Sequence, residues 1–243
     1  MGIYFKTYFF LSVLLFSGIS FENVCISNSD DKKAVVNILK KSNSYYQGKN
    51  KFQLNTTYKI YATKSSKQVK DSFKGLFACN NDRTYAKINQ TEFIISSDLS
   101  LKIDNESKLI QFSKNELDKD LKVYDLEKYC SYYNGFKLTE TEKEWICTLT
   151  TAAFSFVPYS KVVIYINKAN YNVSKQILYI ISAVEYKDSD GKMKIDYPRL
   201  EIEFDNLKTV IDNENVFNID SYILLKNGKY YPSKKYNTYK VID

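Results

Sequence analysis

The sequence predicts a mainly β fold, with about eleven antiparallel strands, one helix ahead of them and one in mid-chain. Three observations lead there. From residue 51 onward, apolar residues recur at every second position, the pattern of a strand with one buried face. Clusters of Asn, Asp and Ser break these runs at intervals too short for crossover helices, so neighbouring strands must run antiparallel. Tyrosine is abundant, 22 in 243 residues, and its ring suits strands and half-wet surfaces.

The elements follow in order. Over 31–45, Ala34, Val35, Ile38 and Leu39 share one side of a helix, with Asp30 and Asp31 at its start and Gly48 just past its end. The period then changes to two. Phe52, Leu54, Thr56, Tyr58 and Ile60 alternate with polar partners, and Val69, Phe73, Gly75 and Phe77 follow the same rule. Short strands come next at 85–88, 92–96, 99–103 and 109–112, separated by Asn80-Asn81-Asp82, Asn89-Gln90, Ser96-Ser97-Asp98 and Asp104-Asn105-Glu106-Ser107. Residues 114–136 break the meander. Leu121, Val123, Leu126, Tyr129, Cys130 and Tyr133 suit an amphipathic helix that Gly135 ends. Strands resume at 145–150, 161–167, 177–186 and 192–207, with a hairpin at Asp188-Ser189-Asp190-Gly191 and another at Asn227-Gly228.

Residues 1–20 read as a secretory signal. Lys6 precedes the apolar run Tyr8 to Phe16, and the small residues Gly18 and Ser20 precede a cut ahead of Phe21. The run is shorter than the roughly 20 apolar residues of a membrane-spanning helix. Residues before Cys25 (Glu22, Asn23, Val24) do not suit lipid attachment. The expected product is one soluble β-rich domain over 21–243, outside the cytoplasm. Removal of one lysine and no acid lowers its formal charge from +7 to +6. The lysines are scattered, so nucleic acid is not an expected partner. An oxidising compartment permits disulfides, and Cys25, Cys79, Cys130 and Cys147 allow three full pairings. Cys130 with Cys147, close in sequence, is the expected pair.

The chain contains no histidine, which removes His-based acid–base catalysis, the usual Ser and Cys nucleophile systems and the commonest metal ligand. No P-loop, GxGxxG, GxSxG or CxxC motif occurs, so no cofactor, metal or catalytic residue is expected. Glu201, Glu203 and Asp205 fall on the polar side of a strand, where solvated acids are the rule.

The order of elements resembles the periplasmic lipoprotein-carrier family of Gram-negative bacteria, the LolA/LolB-like proteins and their lipoprotein-sorting relatives. The resemblance rests on a helix (Ala34 to Gln47), a long first hairpin (Lys51 to Thr63 and Gln68 to Ile88), the segment Phe93 to Phe112 with a helical interruption, and Lys161 to Ile180 followed by Lys192 to Asp220. It implies an incomplete antiparallel β-barrel plugged by helices, and a carrier of acylated lipoprotein or lipid that meets inner- or outer-membrane partner proteins. On this resemblance Phe52, Leu54, Tyr58, Phe73, Phe77, Phe93, Leu101 and Trp145 include cavity-lining residues. Leu126 and Tyr129 belong to the plug, and Arg83 is the polar contact. Two other readings stand beside it: an envelope interaction module with no small ligand, and a carboxylate-based hydrolase with two acids converging in one cleft.

Overall fold

We describe a computed structural model of the protein, covering residues 29–114, 130–151, 157–187, 190–205 and 207–242. The expected signal segment and most of the expected mid-chain helix, including Leu126 and Tyr129, lie outside the described residues. Helix α1 spans Ser29–Gln47. Its buried residues Val35, Ile38, Leu39, Ser42 and Tyr46 recur at three- and four-residue steps, so they form one stripe. Lys33, Asn37, Lys40 and Ser44 are exposed on the opposite side. The Gly48 amide donates to the Ser44 carbonyl (2.9 Å) as the helix ends.

Among the described residues, twelve strands form one open sheet. In chain order they are β1 (Lys51–Tyr61), β2 (Asp71–Asn80), β3 (Arg83–Ile88), β4 (Thr91–Ile95), β5 (Leu99–Asp104), β6 (Leu109–Lys114), β7 (Gly135–Glu140), β8 (Glu144–Thr150), β9 (Tyr159–Asn167), β10 (Val173–Ile180), β13 (Arg199–Phe204) and β16 (Lys240–Ile242). Their spatial order is β16-β6-β5-β4-β3-β2-β1-β13-β10-β9-β8-β7. The sheet is thus two meanders joined where β1 pairs with β13, and it does not close on itself among the described residues. This is the mainly β, incompletely closed architecture the sequence predicts, with α1 against it. Two further ribbons stand apart: β11 (Val184–Lys187) with β12 (Met193–Asp196), and β14 (Ile223–Lys226) with β15 (Lys229–Pro232).

The strand count exceeds the expected eleven for identifiable reasons. Residues 177–186 and 192–207 do not run as single strands. They pair as β10 with β13, break at 181–183 and 197–198, and continue as the β11–β12 ribbon. Gly135 opens β7 where the sequence suggested a helix stop. The last strand, β16, pairs parallel to β6, the exception to the antiparallel expectation. Asn227 and Gly228 both have positive φ, as the tight hairpin between β14 and β15 requires.

The two sheet faces are covered by different segments. On the inner face α1 and Cys130–Tyr133 pack against Phe52, Leu54, Phe136, Leu149, Val162, Ile164, Leu178, Leu200 and Ile202. On the outer face of the other half, residues 207–242 cross as a strap. Ile211, Phe217, Tyr222, Ile223 and Tyr236 pack there on Ala78, Tyr85, Ile94, Leu101, Ile103 and Ile110. Below the strap, the buried Glu92 carboxylate accepts from Tyr85 (2.9 Å) and from the Asn105 amide (2.9 Å), while Tyr239 of the strap donates to Asn105 (2.9 Å).

Tyr46 anchors the end of α1 to the sheet. Its hydroxyl donates to Asn172 and accepts from the Val173 amide (3.0 Å). Tyr46→Phe strands both groups in a buried site, so a loss of about 1–3 kcal/mol in urea unfolding is expected.

Candidate functional site

The inner face is assembled by register. Phe52 opposes Cys79, Leu54 opposes Phe77 and Tyr58 opposes Phe73 across β1 and β2. Ala86 continues the Phe77 row on β3 and Phe93 continues it on β4. In the other direction Tyr58 leads to Ile202, and Ile60 leads through Leu200 and Leu178 to Val162. Of the expected cavity residues, Phe52, Leu54, Tyr58, Phe73, Phe77 and Trp145 therefore join one apolar cluster, and Phe93 lies on the same face.

Leu101 does not. It pairs with Ile94, which pairs with Tyr85, which pairs with Ala78, so the two-residue period carries it to the outer face beneath the strap. Arg83 shares that side. It is exposed and lies over the Phe217 ring of the strap at 6.0 Å, away from the inner face. The expected disulfide is also not formed: Cys130 and Cys147 are both buried in the inner cluster as thiols. Burial, and secondarily Cys130, pushes the Cys147 thiol up to about 12. At pH 8 only about one molecule in ten thousand then carries the reactive thiolate, so Cys147 should resist iodoacetamide until the protein is unfolded.

The aromatic rings of this face form a column. Tyr45 meets Tyr46 at 5.3 Å between centroids, Tyr46 meets Phe52 at 5.6 Å, and Phe52 stacks on Phe77 at 6.0 Å. Tyr58 stacks on Phe73 at 5.2 Å. Burial pushes the Tyr58 phenol up to about 12, so it stays neutral. Tyr46 and Phe52 are buried, whereas Phe73, Phe77, Ile60 and Phe204 remain half-exposed beside the cluster. An apolar strip thus continues outward from α1 across β13, β1 and β2.

Ser42 was not foreseen as part of this site. It lies on the inward stripe of α1, is fully buried, and its hydroxyl has no hydrogen-bond partner among the described residues. Tyr46 was missed too, although its spacing from Val35, Leu39 and Ser42 marks the same stripe. Among the described residues no group of three or more Cys, Asp or Glu could hold a metal ion. Glu203 is paired with Lys59 (2.6 Å) and Glu201 with Arg199 (3.0 Å) on the outer face, where they meet as ion pairs and not as an acid pair in a cleft. No helix among the described residues is long and apolar enough to cross a membrane.

By sequence, no family model and no curated protein matches this chain. Solved structures do match. An uncharacterized conserved protein from Thermus thermophilus aligns over 86% of this chain and 98% of its own, with a TM-score of 0.47 and 9% identity. A LolA superfamily protein from Nitrosomonas europaea covers 76% and 97%, with a TM-score of 0.36 and 14% identity. Lipoprotein LppX of Mycobacterium tuberculosis also matches, over 74% of this chain and 98% of its own, with a TM-score of 0.37 and 9% identity.

Proposed function

We propose that this protein works outside the cytoplasm as a carrier or binder of an acylated ligand, a lipid or lipoprotein, and that the acyl chain lies on the inner face beside α1. The observation that carries this reading is the half-exposed strip of Phe73, Phe77, Ile60 and Phe204, continuous with the buried Phe52–Leu54 cluster. Covering such a strip with hydrocarbon is favourable by about 0.8 kcal/mol per buried CH₂. Movement of α1 against the sheet would widen the layer, and the Ser42 hydroxyl, without a hydrogen-bond partner among the described residues, offers a polar contact to an ester or amide at the head of the chain. The signal sequence over 1–20 supplies the route out of the cytoplasm. The family resemblance of the element order names the same class of ligand.

The test is native mass spectrometry of the protein purified from its own host, with lipid extraction. The expected result is a bound acylated molecule in wild-type protein. An aspartate on this strip removes apolar contact surface and puts a carboxylate that must be desolvated against the acyl chain. Phe77→Asp should therefore retain at least about tenfold less ligand. A ligand-free mass unchanged after incubation with lipoprotein or phospholipid would leave an interaction module of the envelope as the better reading.

A further inference from the structure

One end of the sheet gathers lysines and aromatic rings into a continuous rim. From Lys40 to Lys51 the chain carries four lysines and no acid, with Lys51 paired to Glu214 of the strap. At the end of α1, the Lys41 ammonium lies over the Tyr171 ring at 5.5 Å and that of Lys49 over the Tyr45 ring at 4.6 Å. Tyr171 stacks on Trp145 at 5.1 Å. The turn between β7 and β8 adds Lys143, two residues before Trp145, and its carbonyl accepts from the amide of Lys168 in the β9–β10 turn (2.9 Å). The neighbouring acids are Glu140, paired with Lys168 (2.8 Å), the exposed Glu142, and Glu144, which accepts from the Ser174 hydroxyl. Against these three acids stand Lys41, Lys49, Lys143 and Lys168, with Lys40 exposed on α1.

Tyr171 adopts φ +58, a backbone conformation a bulky residue rarely takes, and this holds its ring against Trp145. Tyr45, Trp145 and Tyr171 are all half-buried. Each has an apolar body packed on protein and an edge in reach of solvent. Rings of this kind bordered by lysines favour the boundary between lipid headgroups and acyl chains. The rim also opens onto the interior, because Tyr45 begins the ring column that runs through Tyr46 to Phe52 and Phe77.

We infer that this rim, formed by the end of α1 with the β7–β8 and β9–β10 turns, docks the protein on an anionic phospholipid bilayer. The charge sign selects acidic headgroups, and the three rings enter the interface. The inference concerns where the protein meets a membrane and holds whether or not the inner face takes an acyl chain.

Trp145 is the only tryptophan, so the rim carries its own reporter. The experiment uses the full mature chain with vesicles of equal parts phosphatidylglycerol and phosphatidylcholine, or of phosphatidylcholine alone. Co-sedimentation is measured beside Trp145 fluorescence, with lipids brominated near the headgroup as quenchers. Expected are binding to the anionic vesicles only, weakening as salt screens the lysines, and quenching of Trp145. A lysine near an anionic surface contributes about fivefold in partition, so Lys41→Gln with Lys49→Gln should weaken binding roughly 25-fold. Lys64→Gln with Lys67→Gln, at the opposite end of β1, should not change it. Equal binding to both vesicles, binding without quenching, or a Lys41/Lys49 variant that binds like wild type would each overturn the inference. Acyl capture in solution, read separately by mass spectrometry, distinguishes this outcome from failure of the carrier reading.

Discussion

Phe52→Ala is expected to lower the free energy of unfolding by about 3–5 kcal/mol, the largest loss from any single truncation on the inner face. The ring is 2% exposed and sits between Tyr46 and Phe77. Tyr46 is itself fixed by Asn172 and Val173, so it cannot collapse into the space without giving up those hydrogen bonds. The cavity therefore stays open. Phe77→Ala removes the same chemistry from a half-exposed position and should cost clearly less. Urea titrations of the two variants compare them directly. Equal costs would mean that the strip around Phe77 is as tightly packed as the core beneath α1.

Gly75→Val should also be damaging, for the opposite reason. A Cβ at position 75 would overlap the Thr56 hydroxyl, approach Tyr58 Cε2 to 2.7 Å and reach the Lys87 carbonyl at 3.0 Å. The Lys87 carbonyl belongs to a paired strand and cannot retreat. Tyr58 can move only by leaving its stack on Phe73. Overpacking of this kind typically costs about 1–3 kcal/mol, and here it also disturbs the candidate site. The variant should lose both stability and ligand, and Gly75→Ala should show the same changes to a smaller degree. Unchanged thermal unfolding of Gly75→Val would show that β1 and β2 separate more easily than their register implies.

Much of the fold was legible because the two-residue period is local information. Phe52, Leu54 and Tyr58 are buried where the alternation places them, and α1 begins and ends within two residues of the span its stripe predicts. The breaks in the long second-half strands were not legible. The alternation of Leu200, Ile202 and Phe204 fades into 192–198 without an obvious stop, and Pro198 marks the break only once pairing is known. β7 was hidden because Gly135-Phe136-Lys137-Leu138 offers just two apolar residues to a period. Leu101 shows the limit for the site. Alternation states which residues of one strand share a face, but which side of the sheet that is depends on pairing through three other strands. The strap is non-local in the same sense, since Phe217 and Tyr236 find partners more than 100 residues earlier in the chain.

The central claim is that an acyl chain occupies the inner face beside α1. Photo-crosslinking tests it most directly, using a phospholipid with a diazirine on its acyl chain and mapping the labelled peptides by mass spectrometry. The account predicts adducts on α1 and on β1 and β2 around Phe52, Phe73 and Phe77, competed away by unlabelled lipid. Adducts confined to the strap and the outer-face residues around Leu101 and Ile110, or none above background, would contradict it.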